Sequence, residues 1–234
     1  MKTLPQFMAE ALEKIPGTQY GSNEGGVHQD TETGKKYYVK QYKNPDHAKV
    51  EALAGKIYDH MGIHTVKPEL HGESGIKTEW NPHVGTKSPS FYDNVSKKHA
   101  NQIGKMYHAA ILTKNWDIVG LEHDNIVHNK KTDDLHAIDH GASFHFRARG
   151  SHKDYGPDIG EKHSLRNNPE ASGHVFSSVF RQHPEAEHHG LQAVKNIDDN
   201  HVHNLFKNSG LHNWKDLHSN FMARKKLLLD SYKK

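Results

Sequence analysis

The 234-residue chain has no cysteine, which excludes a disulfide framework and any thiolate-held metal site. It has no apolar run near the roughly 20 residues that a helix needs to cross a bilayer, so no stable membrane insertion is expected. Met1 to Gly17 lacks the basic start, continuous apolar middle and small-residue cleavage site of a signal peptide. A cytoplasmic working environment, in its own cell or in the cytosol of a host, is the expectation. An excess of one charge sign is missing too: 31 Lys and Arg stand against 28 Asp and Glu, a formal net charge of +3. Acids and bases are intermixed, so the electrostatic footprint of a dedicated nucleic-acid binder is absent and no nucleic-acid partner is expected. Hydrophobic residues make up only 33% and mean hydropathy is -0.91. The apolar residues nevertheless recur periodically and aromatics occur throughout, which reads as a folded protein rather than a disordered one. The length suits one domain with a substantial core, or two small lobes sharing a cleft.

What is abundant is histidine, at 23 residues. Most are scattered singly, with His188-His189 and His201-Val202-His203 the only tight groups, so they read chiefly as surface residues rather than a metal store. The stretch Asn115 to Gly141 is more informative. It sets Asp117, Asn125 and Asp139 at the ends of short apolar runs: Ile118-Val119, Ile126-Val127, and Leu135 to Ile138. Asn125 and Asp139 match Mg²⁺ chemistry, because that ion takes hard oxygen ligands from one or two carboxylates or amides and completes its octahedron with phosphates and water. A phosphoryl acceptor also needs a positioned carboxylate to orient its hydroxyl and take its proton, and Asp117 fits that part. Taken alone, Asp-Asn and Asp-His-Gly are equally ordinary turn sequences of a hairpin, so the upstream residues decide.

Leu4 to Ile15 carries Phe7, Met8, Leu12 and Ile15 at helical spacing before Pro16-Gly17 and predicts a short amphipathic helix. From Gln19 to Asp30 a glycine-rich turn, with Gly21, Ser22, Asn23, Gly25 and Gly26, lies between two short extended segments. Glycines let backbone N–H groups approach and cradle phosphates, while a plain flexible hairpin is the simpler reading of such a pair. Lys35 to Tyr42 is rich in strand formers, and alternation puts Tyr38, Lys40 and Tyr42 on one face. Asn44-Pro45 signals a helix start, and Ala48 to Met61 follows with Val50, Leu53, Ala54, Ile57 and Met61 as its stripe. Glu51 shares a helix side with Ala54, Gly55 and Tyr58, and the first two are small enough to let it reach Lys40. A strand lysine paired to a helix glutamate holds the α- and β-phosphates in protein kinases, whereas a surface pair of this type is common and worth little. The order of glycine loop, lysine, glutamate, Asp, Asn and Asp favours the first reading.

In these motifs the chain resembles the atypical protein-kinase-like superfamily of bacterial or phage type. They are Gly21 to Val27, Tyr38-Val39-Lys40, Asn44-Pro45 with Glu51 to Ala54, Asn115-Trp116-Asp117, Asp124-Asn125-Ile126 and Ile138-Asp139-His140-Gly141. That superfamily includes the HipA-like kinases, the actin-fragmin kinase domain and, more remotely, the phosphatidylinositol kinases. Leu165 to Pro169 with Val175-Phe176 is similar to a segment of HipA-related proteins, and the likeness spans roughly Tyr20 to Phe180. The resemblance implies an α+β bilobal kinase-like fold. Its N-lobe over 1–80 carries a small antiparallel sheet and one helix, a hinge follows over 81–89, and a mainly helical C-lobe spans 90–234. It also implies ATP in the cleft, against the glycine loop, Lys40 and the strand end at Glu79 and Trp80. Lys40 would hold the phosphates with Glu51 as its partner, Asp117 would be the catalytic base, and Asn125 and Asp139 would bind Mg²⁺, or Mn²⁺ in its place. The pattern departs from conventional kinases in three respects: the Asp117 to Asn125 spacing is longer and no His-Arg-Asp is present, Asp-His-Gly replaces Asp-Phe-Gly, and Tyr38 stands where a small residue usually meets adenine.

Elsewhere, Ile76 to Trp80 predicts a strand leading into a linker at Asn81 to Gly85, and Val95 to Lys114 a buried helix. Phe144 to Asn168, with five basic residues and three glycines, predicts a long loop suited to an acidic acceptor or simply solvated. Helices are predicted at Val175 to Gln182, Leu191 to Ile197, Val202 to Lys207 and Trp214 to Tyr232, with Arg224-Lys225-Lys226 as a solvated face. The expected activity is transfer of the ATP γ-phosphate to a hydroxyl, foremost a protein Ser/Thr, with a small-molecule or lipid acceptor behind it. The other classes are a pseudokinase-type interaction module, nucleotidyl transfer on the same fold, and a histidine-based metal-binding protein.

Overall fold

The computed structural model describes residues 12–19 and 23–233. Strands β1 (Leu12–Lys14), β2 (Gly25–Asp30), β3 (Lys36–Gln41), β5 (Glu69–His71) and β6 (Gly75–Glu79) form a five-stranded sheet in the order β1-β2-β3-β6-β5, all its pairings antiparallel. A second sheet, ordered β4-β9-β8-β7, joins β4 (His64–Thr65), β7 (Val84–Thr86), β8 (Ile126–Asn129) and β9 (Asp134–Ala137). Helices are α1 (Pro45–His60), α2 (Lys97–Thr113), α3 (Glu161–Asn167), α4 (Ala171–Gln182), α5 (Glu185–Lys195), α6 (Asp199–Lys207) and α7 (Trp214–Asp230). Among the described residues no helix is long and apolar enough to cross a membrane.

The N-terminal helix prediction fails where it is covered. Leu12–Lys14 is a strand paired with β2 in the register Leu12 to Asp30 and Lys14 to His28; residues 4–11 lie outside the described residues. Helical spacing in so short a stretch is overridden by a ladder that a neighbouring strand offers. The other helices form where expected. The Asn44 side chain accepts the Asp46 N–H with Pro45 at the first turn of α1, and the Ser96 side chain accepts the His99 N–H to start α2. Lys114, in the left-handed region at φ 54, ends α2. The predicted loop over 144–168 is shortened by α3, which turns Glu161 and Leu165 inward one helical turn apart.

The main core runs continuously from Val50, Leu53, Ile57 and Tyr58 on α1 through Ile103, Met106, Tyr107 and Ile111 on α2 to Phe176, Phe206, Phe221 and Leu228 in the helical lobe. Tyr42, Ala48 and Ile76 form a small separate cluster under the first sheet. Thus α1 is seated in the core of the larger lobe while its edge faces the small sheet, which fixes the cleft between them. α2 and α5 cross at glycines: a Cβ at Gly104 would strike the Ala186 backbone, and one at Gly190 the Gly104 carbonyl.

His108 sits in that crossing, fully buried, with Nδ1 bonded to the Gly104 carbonyl at 2.8 Å. Burial pushes its pKa down to about 4, against the pull of that bond. The unfolded chain therefore binds a proton near pH 6.5 that the folded chain refuses, and stability falls as pH drops from there toward 4. The expected loss is on the order of 3 kcal/mol from this residue. Urea denaturation across that window should show the loss, and His108→Gln should remove this residue's share of it, leaving the shares of His47, His140 and His145, which burial also pushes down to about 4.

Candidate active site

Three of the residues singled out from the sequence converge. Lys40 projects from β3, and its Nζ lies 3.3 and 3.2 Å from the Glu51 carboxylate oxygens on α1 and 3.0 Å from Asp139 Oδ1. Lys40 and Glu51 are buried, at 9% and 3% exposure, while the Asp139 side chain is 41% exposed. One ammonium thus bridges an internal carboxylate and one that opens to solvent. Burial works against the Lys40 charge, but Asp139 and then Glu51 more than offset it, and its pKa rises. Burial likewise works against the Asp139 carboxylate, yet Lys40 holds it below the usual range. Glu51 bears the shortfall: burial pushes it up to about 7, with Lys40 opposing and Asp139 adding to the rise.

The local backbone accounts for this convergence. Asp139 follows β9 and sits in the left-handed region at φ 52, an unusual conformation that Asp tolerates, which turns its carboxylate from the ladder toward β3. A 3-10 turn (His140–Ala142) follows. The Gly141 carbonyl lies 3.0 Å from His47 Nε2. A Cβ at Gly141 would lie 2.9 Å from Tyr42 Oη, 3.0 Å from His47 Nε2 and 3.2 Å from Glu51 Oε2. Tyr42 donates its hydroxyl proton to Glu51, and the His47 ring stacks on Phe146. The glutamate is therefore packed from three sides. Gly141→Ala is expected to cost about 1–3 kcal/mol by overpacking and to loosen the Lys40–Glu51 pair, measurable as a lowered Tm.

Asp117 and Asn125 form the second half. The Asn115 side chain accepts the Asp117 N–H at 3.0 Å, and Asn125 Nδ2 donates to the Asp117 carbonyl at 2.6 Å. Between them the chain turns at Gly120, where φ is 75 and a Cβ would collide with the Asp124 carboxylate. Asp117 is half-buried, and its carboxyl is pushed up to about 6, first by burial, then by Asp139 and Asp124. Committing Nδ2 leaves Asn125 Oδ1 as the acceptor, so Asn125 and Asp139 together present hard oxygen donors that suit Mg²⁺.

The other predicted contacts are less direct. Gly25 and Gly26 belong to β2 itself. Gly25 is glycine because a Cβ would strike the Val39 carbonyl, and Gly26 has φ 148, so close strand pairing explains both without any phosphate. Asn23 lies in the bend before β2, and Gly21 and Ser22 lie outside the described residues. Glu79 pairs with Tyr37, and alternation puts both side chains on the sheet face opposite Lys40. Glu79 and Trp80 line a separate cleft of about 630 Å³ with Tyr37 and Lys77, and the Trp80 N–H is bonded to the Lys36 carbonyl. The Glu79 side chain therefore stands behind the Lys40 face.

Two neighbours were given no role in the sequence reading. Lys153, counted among the charges of a loop, is buried at 7% exposure beside Trp116 and donates to the Lys114 and Ala142 carbonyls at 2.6 and 2.7 Å. Burial pushes it down to about 7. Trp116 is 39% exposed, with Arg147 5.0 Å over its ring and its Nε1 donating to Glu161 at 3.0 Å. Nothing in local sequence marks Lys153, while the Asn115-x-Asp117 turn was a visible signal for the Trp116 position.

No family model matches the sequence, and no curated protein matches it significantly. Among solved structures the chain is similar to the proinflammatory kinase CtkA of Helicobacter pylori, with 14% identity, a TM-score of 0.57 and 94% of each chain covered. It also aligns with the choline kinase LicA of Streptococcus pneumoniae at 13% identity over 98% of each chain, with a TM-score of 0.40 that carries no argument. At such identity the likeness speaks for the fold alone. The chain therefore has the α+β, bilobal protein-kinase-like fold, shared with CtkA over nearly its whole length.

Proposed function

We propose that the protein is an ATP- and Mg²⁺-dependent phosphotransferase that moves the γ-phosphate to a hydroxyl, foremost a serine or threonine of a protein. The observation that carries this reading is the placement of Lys40 between Glu51 and Asp139, 3.2 and 3.0 Å away, with Asp117 and Asn125 locked to each other beside them. In this reading Lys40 binds phosphate oxygens and Glu51 fixes its direction. Asn125 and Asp139 hold Mg²⁺, which when bound neutralises phosphate charge. Asp117 orients the acceptor hydroxyl and takes its proton as the acceptor oxygen bonds to the γ-phosphorus and the bond to the β-bridging oxygen breaks, releasing ADP. A carboxyl raised to about 6 is still ionised at neutral pH and is a stronger base than an ordinary aspartate. Exposed Trp116 with Arg147 over it gives an open shelf beside Asp117, which suits an extended polypeptide better than an enclosed small molecule.

The test is incubation with Mg²⁺ and ATP labelled in parallel at the γ- and α-phosphates, beside Lys40→Ala and Asp139→Ala, reading label on the protein and on added polypeptide. Label from γ-ATP that both variants lose supports the proposal. Label from α-ATP alone moves the chemistry to nucleotidyl transfer, and no label without any ATP-induced thermal shift removes the nucleotide reading.

A further inference from the structure

Six of the 23 histidines are buried, and two of these meet a carboxylate far from the Lys40 cluster. His99 stands in the first turn of α2, His128 on β8, and Asp133 in the hairpin turn between β8 and β9. His99 Nε2 and His128 Nε2 both face Asp133 Oδ1, at 3.3 and 2.8 Å, and His99 Nε2 also lies 3.0 Å from the Asp133 carbonyl. One ligand atom from each of the three side chains falls within 4.8 Å of the others. We propose that His99, His128 and Asp133 form a divalent transition-metal site, for Zn²⁺ or Ni²⁺, with water at the open position.

Two imidazole nitrogens and one carboxylate oxygen are a ligand set such ions accept, and a tetrahedral Zn²⁺ at 2.0–2.1 Å would bring donors to about 3.4 Å apart. Two of the separations, 3.3 and 2.8 Å, already stand near that value, so small side-chain rotations would bring the set to it. The imidazoles are held in advance: their side chains are 7% and 11% exposed, and the Phe91 ring packs against both, at 5.5 and 6.4 Å. His128 Nδ1 is buried and has no hydrogen-bond partner, so no second bond commits this ring to its present tautomer. Asp133 is left-handed at φ 57 with its side chain 63% exposed, which opens the fourth position to solvent. The nearby Lys98 ammonium is held mainly by Asp134 and by the Asp133 carbonyl, 2.7 Å away, and only loosely by the Asp133 carboxylate. It lies 3.0 Å from Asp134 Oδ1 and 4.0 Å from Asp133 Oδ2. Binding would require each neutral imidazole to carry its proton on Nδ1, leaving Nε2 for the ion, and would clip the β8–β9 hairpin to the start of α2. That hairpin begins just after Asn125 and ends two residues before Asp139, so occupancy would stiffen the ribbon between them.

The full-length protein, stripped with chelator, would be titrated with Zn²⁺ by calorimetry and with Co²⁺ by visible absorption. Variants would be His99→Ala, His128→Ala and Asp133→Asn, with His201→Ala/His203→Ala as the control for other histidines, each checked for folding by circular dichroism. One ion per chain is expected, with intense tetrahedral Co²⁺ bands and a Tm rise of roughly 5–10 °C at metal a hundredfold above Kd. Each ligand variant should raise the Kd by at least the roughly 100-fold that even an outer-sphere partner can cost, and the control should bind as before. Asp133→Asn keeps the proposal testable if an alanine variant fails to fold, since it preserves the turn. Zinc binding that is absent, or equal in the parent and in every folded ligand variant, overturns it.

Discussion

Asp139→Asn is expected to lower transfer from γ-labelled ATP by about 10³-fold or more while the protein stays folded. The substitution keeps shape and removes the charge that faces both Lys40 Nζ and the cleft. Lys40 retains Glu51 at 3.2 Å, so the ammonium is not left alone and the loss, in the proposed mechanism, is of metal and phosphate binding. Asp117→Asn should separate from it. A general base contributes typically 10²–10⁴-fold, so kcat should fall by that order with KM for ATP little changed. Stability should move the opposite way. A carboxyl raised from 3.8 to about 6 in the folded state is a cost at every pH above its unfolded value, so removing the charge should stabilise the fold at neutral pH. After allowance for partial exposure the gain is about 1–2 kcal/mol. A variant that loses activity and gains stability marks a residue placed for chemistry. Steady-state kinetics beside urea denaturation would show it, and unchanged kcat would remove Asp117 from the mechanism.

Arg224→Met is expected to be the most destabilising single change, by about 3–5 kcal/mol. Arg224 has no exposed surface. From α7 it donates to the carbonyls of Ile111, Gly156 and Asp158 and pairs with Glu161, which is itself 3% exposed. Methionine fills most of the volume but leaves a buried carboxylate and three carbonyls without this donor, and an uncompensated buried charge costs more than the lost contact. Glu161 also accepts from Trp116 Nε1 and lies 3.8 Å from Lys114 Nζ, so the shelf beside Asp117 should loosen as well. A large drop in Tm is expected, partly restored by adding Glu161→Gln, because the double variant no longer buries a carboxylate whose remaining cation, Lys114, is 3.8 Å away. Additive losses in that pair would show that the two groups are not coupled.

Arg224 also shows where sequence reasoning stops. Arg224-Lys225-Lys226 reads as a solvated basic face, yet Arg224 and Lys225 are buried and only Lys226 is exposed. Charge alone carries no information about a facing carboxylate 63 positions away. Lys153 escaped for the same reason, since its partners are backbone carbonyls, which have no sequence signature. His99, His128 and Asp133 looked like scattered polar residues because 29 and 5 positions separate them along the chain.

What the sequence by itself determined is whatever rests on local periodicity and chemistry. The cap at Asn44-Pro45 and the stripe of α1, the strand bearing Lys40, the helix ending just before Asn115, and the turn positions of Asn125 and Asp139 all follow from neighbours a few residues apart. Pairing Lys40 with Glu51 was legible because one strand and one helix in succession leave few ways to pack. Tertiary structure alone decided the remainder. It made Leu12–Lys14 a strand, placed Gly25 and Gly26 in a ladder, and turned Glu79 away from the Lys40 face. It also buried an arginine against a distant glutamate and drew two histidines onto one aspartate. Each of these depends on which segments meet across long sequence separations, and there burial and pairing energies outweigh local preference.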